Sequence, residues 1–276
     1  MGLRATLEKP KVGILGGTGR MGSWFADLVK AYASEVFRVG RTTRITPAEI
    51  ARECDVVVIS VPIAQTVAII KEVGPLVPEQ GMLMDLTSIK KKPIEAMLRY
   101  SRAQIVGVHP LFGPAGPSDA GLRVAVCPGR GRDGLNWLTG ILNDAGLAVT
   151  ITSAEEHDQM MGLIQGVNHL STLALGLCVS RSGLMLEELL SCSTRTFTKT
   201  LDRMRTMIEQ PAWLFGSLLM DNPRALEFMD RYSKAAGDLI EISKEKDRAS
   251  FERVFEELKA FFCSEESVSH TTTDRC

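Results

Sequence analysis

Over the first 152 residues short apolar runs alternate with amphipathic stretches, and from Ser153 the alternation gives way to a helical period. The runs predict strands at Lys11–Leu15 (KVGIL), Val36–Val39 (VFRV), Val56–Ser60 (VVVIS), Met82–Asp85 (MLMD), Gln104–His109 (QIVGVH), Arg123–Cys127 (RVAVC) and Ala148–Ile151 (AVTI). The stretches between them predict helices over Arg20–Ala33, Pro47–Glu53, Ala64–Val73, Pro93–Tyr100 and Leu135–Asp144. Strands that are apolar throughout, separated by helices, imply a largely parallel sheet covered on both faces. Ser153-Ala154-Glu155-Glu156 has the form of a capping box, in which Ser caps the first turn and Glu reaches back to the cap. Beyond it, Met160, Met161, Ile164, Val167, Leu170, Leu173, Ala174 and Leu177 fall on or near one helical face. Pro211 and Asn222-Pro223 interrupt later helices. The pattern gives an α/β domain over 1–152, an all-helical domain over 153–264 and a polar, frayed tail over 265–276.

Composition narrows the partners. Net charge is −1, so no broad basic field points to nucleic acid or to a membrane surface, and any anionic ligand must be held by a few placed groups. No apolar run reaches the roughly 18 residues of a membrane span, and the N-terminus lacks a signal peptide's apolar core. The six cysteines are scattered, with no CxxC and no Cys/His cluster, so neither a zinc site nor a disulfide framework is expected. Reduced thiols in the cytoplasm are the simplest reading.

The first strand runs into Gly16-Gly17-Thr18-Gly19-Arg20-Met21-Gly22. Gly17, Gly19 and Gly22 form GxGxxG between a predicted strand and a predicted helix, the order a pyrophosphate requires. One glycine turns the chain, one lets backbone approach the anion, and one packs the helix against the sheet. The first domain is therefore read as Rossmann-type and dinucleotide-binding, with Gly17, Thr18, Gly19, Arg20, Met21 and Gly22 at the phosphates. After the second strand comes Gly40-Arg41-Thr42-Thr43-Arg44, with no acid to accept from a ribose 2′-hydroxyl. Arg41, Thr42 and Arg44 suit a 2′-phosphate and favour NADP, with NAD possible; the alternative is that the arginines are solvated loop charges.

Ligands in open α/β sheets sit beyond the C-terminal strand ends. Ser60-Val61-Pro62 and Asp85-Leu86-Thr87-Ser88-Ile89-Lys90 end the third and fourth strands there. Ser88 and Lys90 can face the nicotinamide and an acidic substrate; equally, Thr87 or Ser88 can cap the next helix. His109 ends the fifth strand, with Pro110 and Pro114 restricting the backbone on either side. A neutral imidazole so placed can take a proton from a substrate hydroxyl as hydride leaves the same carbon.

GGTGRMG, SVPI (60–63), DLTSIK (85–90), HPLFGP (109–114) and EHDQMMGLIQGVNHL (156–170) occur in this order. In that, the chain resembles the prephenate dehydrogenases of the tyrosine pathway, over about residues 11–262. The resemblance implies a Rossmann domain followed by an all-α dimerisation domain, a homodimer formed through the helical domain, and a site in the cleft between domains. It also implies oxidative decarboxylation of a small dianionic substrate. On it, His109 matches the histidine that takes the 4-hydroxyl proton and Ser88 a serine bonding that hydroxyl. His169 matches a histidine near the substrate side chain, and Arg205 the arginine that grips a carboxylate. Arg203 is the local rival to Arg205; His157, after two glutamates, reads as a structural helix-start residue. Alone, His169 on an apolar helix would read as a core histidine.

One stretch departs from the family pattern. Ser193-Thr194-Arg195-Thr196 stands where many relatives carry Ser-Pro-Ile-Tyr. That opens the substrate to arogenate or 4-amino-4-deoxyprephenate, although the latter has no 4-hydroxyl for His109 to deprotonate. A non-catalytic NADP-binding sensor is a further alternative. With no room for a regulatory ACT domain or a fused chorismate mutase, any feedback by tyrosine is expected to act at the active site.

Overall fold

The computed structural model describes residues 9–112 and 122–263. Gly113 and Pro114 of the HPLFGP motif and the predicted tail lie outside them. By compactness the chain forms two units, Met1–Glu227 and Phe228–Cys276.

The first unit is built on a seven-stranded sheet of order β2-β1-β3-β4-β5-β6-β7. Its strands are β1 (Lys11–Leu15), β2 (Glu35–Val39), β3 (Val56–Ile59), β4 (Met82–Asp85), β5 (Gln104–Pro110), β6 (Arg123–Arg130) and β7 (Ala148–Ile151). Every neighbouring pair is parallel except β5–β6. Side chains alternate between two buried layers. Val56 and Val58 pack with α1 (Arg20–Val29) and α5 (Asp133–Asp144) on one face. Val57 and Ile59 pack with α2 (Pro47–Glu53), α3 (Ile63–Val73) and α4 (Lys91–Tyr100) on the other. That is why these strands read as unbroken apolar runs, each such side chain contributing about 1.5–3 kcal/mol when buried.

Two features aim the C-terminal edge. The strand order reverses between β1 and β3, which opens a crevice at their ends. β5 also outruns β4: Asp85, the last residue of β4, pairs with Gly107, two residues before His109. The antiparallel β6 braces the protruding end, pairing His109 with Ala125 and Pro110 with Val124.

After the sheet, α6 (Ala154–Met161), a π-helical segment (Gly162–Val167) and α7 (Asn168–Ser180) run as one helix. Ser153 and Glu156 form the expected capping box. Then come α8 (Leu186–Ser191), α9 (Arg195–Ile208) and α10 (Ala212–Met220), followed by α11 (Pro223–Glu245) and α12 (Arg248–Phe262). Elements α6 to α10 belong to the same compact unit as the sheet. The face predicted to be apolar is largely in solvent: Ile164 is 55% and Leu177 50% exposed. Contrary to expectation, Ala154–Ser180 is, by length and composition alone, apolar enough to cross a membrane. Gln165, Asn168 and His169 break the strict apolar run, so no single stretch announced it.

Candidate active site

At the switch point the backbone is folded too tightly for side chains. Gly16 has φ +85°, and a Cβ on it would lie 2.2 Å from the Ser60 carbonyl oxygen. A Cβ on Gly22 would lie 2.4 Å from the Gly16 oxygen, so the first turn of α1 rests on the loop itself. Gly17 N–H donates to the Ile14 and Val39 carbonyls and Gly19 N–H to Gly16, which locks the loop. Gly19 occupies the N-cap of α1 with no side chain on the helix end, and the first turn holds no acid. Thr18, Gly19 and Arg20 are exposed, Met21 half-buried. The tight loop and the α1 N-terminus behind it, uncapped by any side chain, fit a dinucleotide pyrophosphate. Ser60, Val61 and Pro62 lie alongside: Ser60 N–H donates to Leu15 O at 2.8 Å, and Pro62 precedes α3. In the loop after β2, the Thr43 hydroxyl donates to Gly40 O at 2.9 Å. Arg41, Thr42 and Arg44 are exposed, and neither arginine forms an ion pair among the described residues.

The other half of the site centres on His109, which is 3% exposed. Its Nδ1 lies 2.9 Å from His157 Nε2. His157, fully buried, places Nδ1 2.8 Å from Asp158 Oδ1. A carboxylate only accepts, so His157 Nδ1 carries a proton. With His157 neutral, its Nε2 accepts from His109 Nδ1–H, and His109 Nε2 is left as a bare lone pair. The Gln165 amide nitrogen approaches that Nε2 at 3.4 Å from the π-helical segment. Burial first, then the neighbouring His157 and Lys90 charges, hold the His109 imidazole well below its ordinary 6.5. His109 is thus a neutral base at neutral pH, with its free nitrogen fixed by its neighbours.

Two stretches of the chain match models of the prephenate dehydrogenase family. Residues 27–125 match its nucleotide-binding domain and residues 153–257 its dimerization domain. A T-protein from Haemophilus influenzae is 30% identical over 252 residues, covering 91% of this chain and 67% of that protein. The chain belongs to the prephenate dehydrogenase family. A probable arogenate/prephenate dehydrogenase from Methanocaldococcus jannaschii is 29% identical over 273 residues, covering 92% of this chain and 61% of that protein. The chain thus spans about two thirds of the length of these curated relatives. The prephenate dehydrogenase of A. aeolicus, solved with hydroxyphenyl propionate and NAD+, shares the fold with a TM-score of 0.67 at 18% identity. That likeness covers 91% of this chain and 96% of the other.

As a member of the prephenate dehydrogenase family, the chain distributes its motif residues unevenly. Ser88 is half-buried in the β4–α4 turn, on the same strand edge as His109. Neither Thr87 nor Ser88 caps α4. The Asp158 carboxylate does so from a distant helix, accepting from Lys90 N–H at 2.7 Å and Lys91 N–H at 3.0 Å. Lys90 is placed differently from its reading as a substrate ligand. Its side chain is fully buried, bonded to Asp85 and, at 2.8 Å, to the Val108 carbonyl. The Lys90 stem passes close over Gly107, where a Cβ would lie 2.7 Å from Ile94 Cδ1 and 3.1 Å from Lys90 Cδ. The ammonium therefore braces β4 against β5 rather than facing a ligand.

His169, four residues beyond Gln165, stacks edge-on against Phe215 with ring centres 5.1 Å apart. Burial, then the charge of Arg203, lowers its pKa. Arg203 donates to the Thr172 hydroxyl at 3.0 Å, which holds it beside the His169 face of α7. Arg205 is half-exposed and pairs with Asp202 at 3.5 Å, so the structure brings Arg203, and not Arg205, against the His169 helix. Sequence reasoning passed over His157, Asp158 and Gln165 as site residues. The available signal was spacing: 157 and 165 lie eight apart, on one face of a helix whose other residues are mainly apolar.

Proposed function

We propose that the protein catalyses oxidative decarboxylation of prephenate to 4-hydroxyphenylpyruvate, with NADP as the preferred hydride acceptor. One observation carries the reading: a buried neutral histidine at the end of β5, its Nε2 unprotonated and met by the Gln165 amide, on the strand edge that also holds the glycine-rich loop. A nicotinamide held by Gly16–Gly22 and the Ser60–Pro62 turn supplies the acceptor for hydride from C4. His109 Nε2 takes the 4-hydroxyl proton as that hydrogen leaves. The ring ketone then accepts the electrons of the departing carboxylate, and aromatisation drives loss of CO2. Ser88, on the same edge, orients the hydroxyl. An arginine of α9 holds a substrate carboxylate: the family pattern favours Arg205, while the hydrogen bond to Thr172 favours Arg203.

NADP is favoured because the loop after β2 offers unpaired Arg41 and Arg44 and no acid. The exposed apolar residues of α7 and α10, with the match to a dimerization domain, support a homodimer through the helical segment. A cytoplasmic location suits a nicotinamide-dependent biosynthetic step. A second reading, arogenate as substrate, is favoured by Thr194 and Arg195 at the start of α9. The relative from Methanocaldococcus jannaschii is named for both substrates.

The test mixes the protein with prephenate and each nicotinamide and follows reduced-nicotinamide absorbance together with CO2 release. Turnover with prephenate, faster with NADP, is expected. No signal with either cofactor would overturn the reading, and a higher kcat/KM for arogenate would favour the second.

A further inference from the structure

His109 does not stand alone, and the reaction just described has to put a proton somewhere and later retrieve it. The hydroxyl oxygen that loses its proton during hydride transfer becomes, after CO2 leaves, a phenolate that needs one. We propose that the Asp158–His157 pair is the proton store of this reaction, receiving the His109 Nδ1 proton while His109 Nε2 takes the substrate's, and returning it to the phenolate oxygen. The inference rests on His109 being the base.

The proton balance follows from the contacts. The substrate O–H bond breaks and an N–H bond forms at His109 Nε2. The His109 Nδ1–H bond breaks and an N–H bond forms at His157 Nε2, 2.9 Å away. His157 is then an imidazolium whose Nδ1–H faces the Asp158 carboxylate at 2.8 Å, and His109 is neutral again in the opposite tautomer. Reversing both transfers delivers the proton to the phenolate, so none is gained or lost overall.

Surroundings decide which ring keeps the charge. His109 faces no carboxylate among the described residues; it faces His157, the amide of Gln165 and the field of Lys90. His157 faces Asp158. That carboxylate accepts from two backbone N–H groups at the start of α4, and Asn222 donates to the Asp158 carbonyl at 2.8 Å. The Lys90 ammonium is matched by Asp85, and Lys91, Glu155 and Arg224 form an outer ring of pairs. Two adjacent imidazoles in a buried site take up one proton beyond the single N–H each carries when neutral, and a second is opposed by like charge, as a store requires.

Ring-nitrogen NMR on the wild-type protein tests this without substrate. At high pH His109 is expected as the Nδ1–H tautomer. On acidification the added proton should leave His157 doubly protonated and His109 as the Nε2–H tautomer. A His109 that itself becomes doubly protonated overturns the proposal, even if prephenate is turned over.

Kinetics give the second measurement. In His157→Gln, kcat is expected to fall about 100-fold with KM and cofactor Kd little changed. The solvent-isotope proton inventory of kcat should change from curved, with two protons moving, to linear. A curved inventory in the variant, or a fall in kcat matched by the rise in KM, defeats the store. If prephenate is not turned over at all, the functional reading fails separately, and the NMR result still stands on its own.

Discussion

His109 is a histidine kept neutral by its surroundings, and the sign of that effect fixes its pH behaviour. Its depressed pKa means the base form persists below the ordinary 6.5. In the free enzyme kcat/KM is expected to drop on acidification only as the coupled His109–His157 pair takes up a proton, so the acidic limb from steady-state kinetics should coincide with protonation of the pair followed by ring-nitrogen NMR; an acidic limb away from that transition would contradict it. Stability runs the same way. The unfolded chain binds this proton more readily than the folded one, so the contribution is complete above about pH 6.5 and is lost as pH falls from there toward the folded value. The arginines offer a second contrast. Arg41→Ala with Arg44→Ala should weaken NADP about 10- to 100-fold and NAD little, since only NADP carries the phosphate they would pair with. Equal loss of both cofactors by titration would show that they do not read it. For the substrate carboxylate, whichever of Arg203→Ala and Arg205→Ala raises KM with kcat kept identifies the gripping residue.

At the scale of elements, the site depends on how closely backbones approach. The α1 terminus can face a pyrophosphate only because Gly22 lets it sit on Gly16. Gly22→Ala forces the helix outward and is expected to raise the cofactor Kd about 10-fold or more, roughly 1.4 kcal/mol, by calorimetric titration. The β4–α4 turn is held differently, by the buried Lys90–Asp85 pair within and by Asp158 at its helix end. Lys90→Met leaves Asp85 charged and unpaired in the core, so a loss of about 3–5 kcal/mol in denaturant unfolding is expected. A fold of unchanged stability with a raised KM would instead restore Lys90 as a substrate ligand. The same turn carries Ser88, and a small apolar cluster of Ile63, Ile89, Leu218 and Phe215 joins it to α10. The start of α3, the β4–α4 turn and α10 are thereby tied within one compact unit.

For the molecule as a whole, the helical segment leaves several large apolar side chains in water. Met220 is 73%, Ile208 67% and Trp213 54% exposed. Such a surface marks an interaction face. Light scattering is expected to give about twice the chain mass, and Ile208→Asp with Met220→Asp to shift the protein toward monomer. A wild-type monomer at micromolar concentration would place those residues in some other role.

The amino-acid order alone was enough for the strands, the helices between them and the tight glycine-rich loop after β1, because each is written in local terms: period, turn chemistry and glycine spacing. It also singled out His109, through its place at a strand end. It did not determine what His109 touches. Asp158 caps α4 across a separation of 67 residues, and His157 meets His109 across 48. No local rule records such a contact. Lys90 shows the same limit from the other side: its charge suited a ligand until the packing of β4 against β5, through Gly107, enclosed it with Asp85. Residue type limits what a group can do, but burial and long-range partners set its protonation and its exposure, and those exist only once the chain has folded.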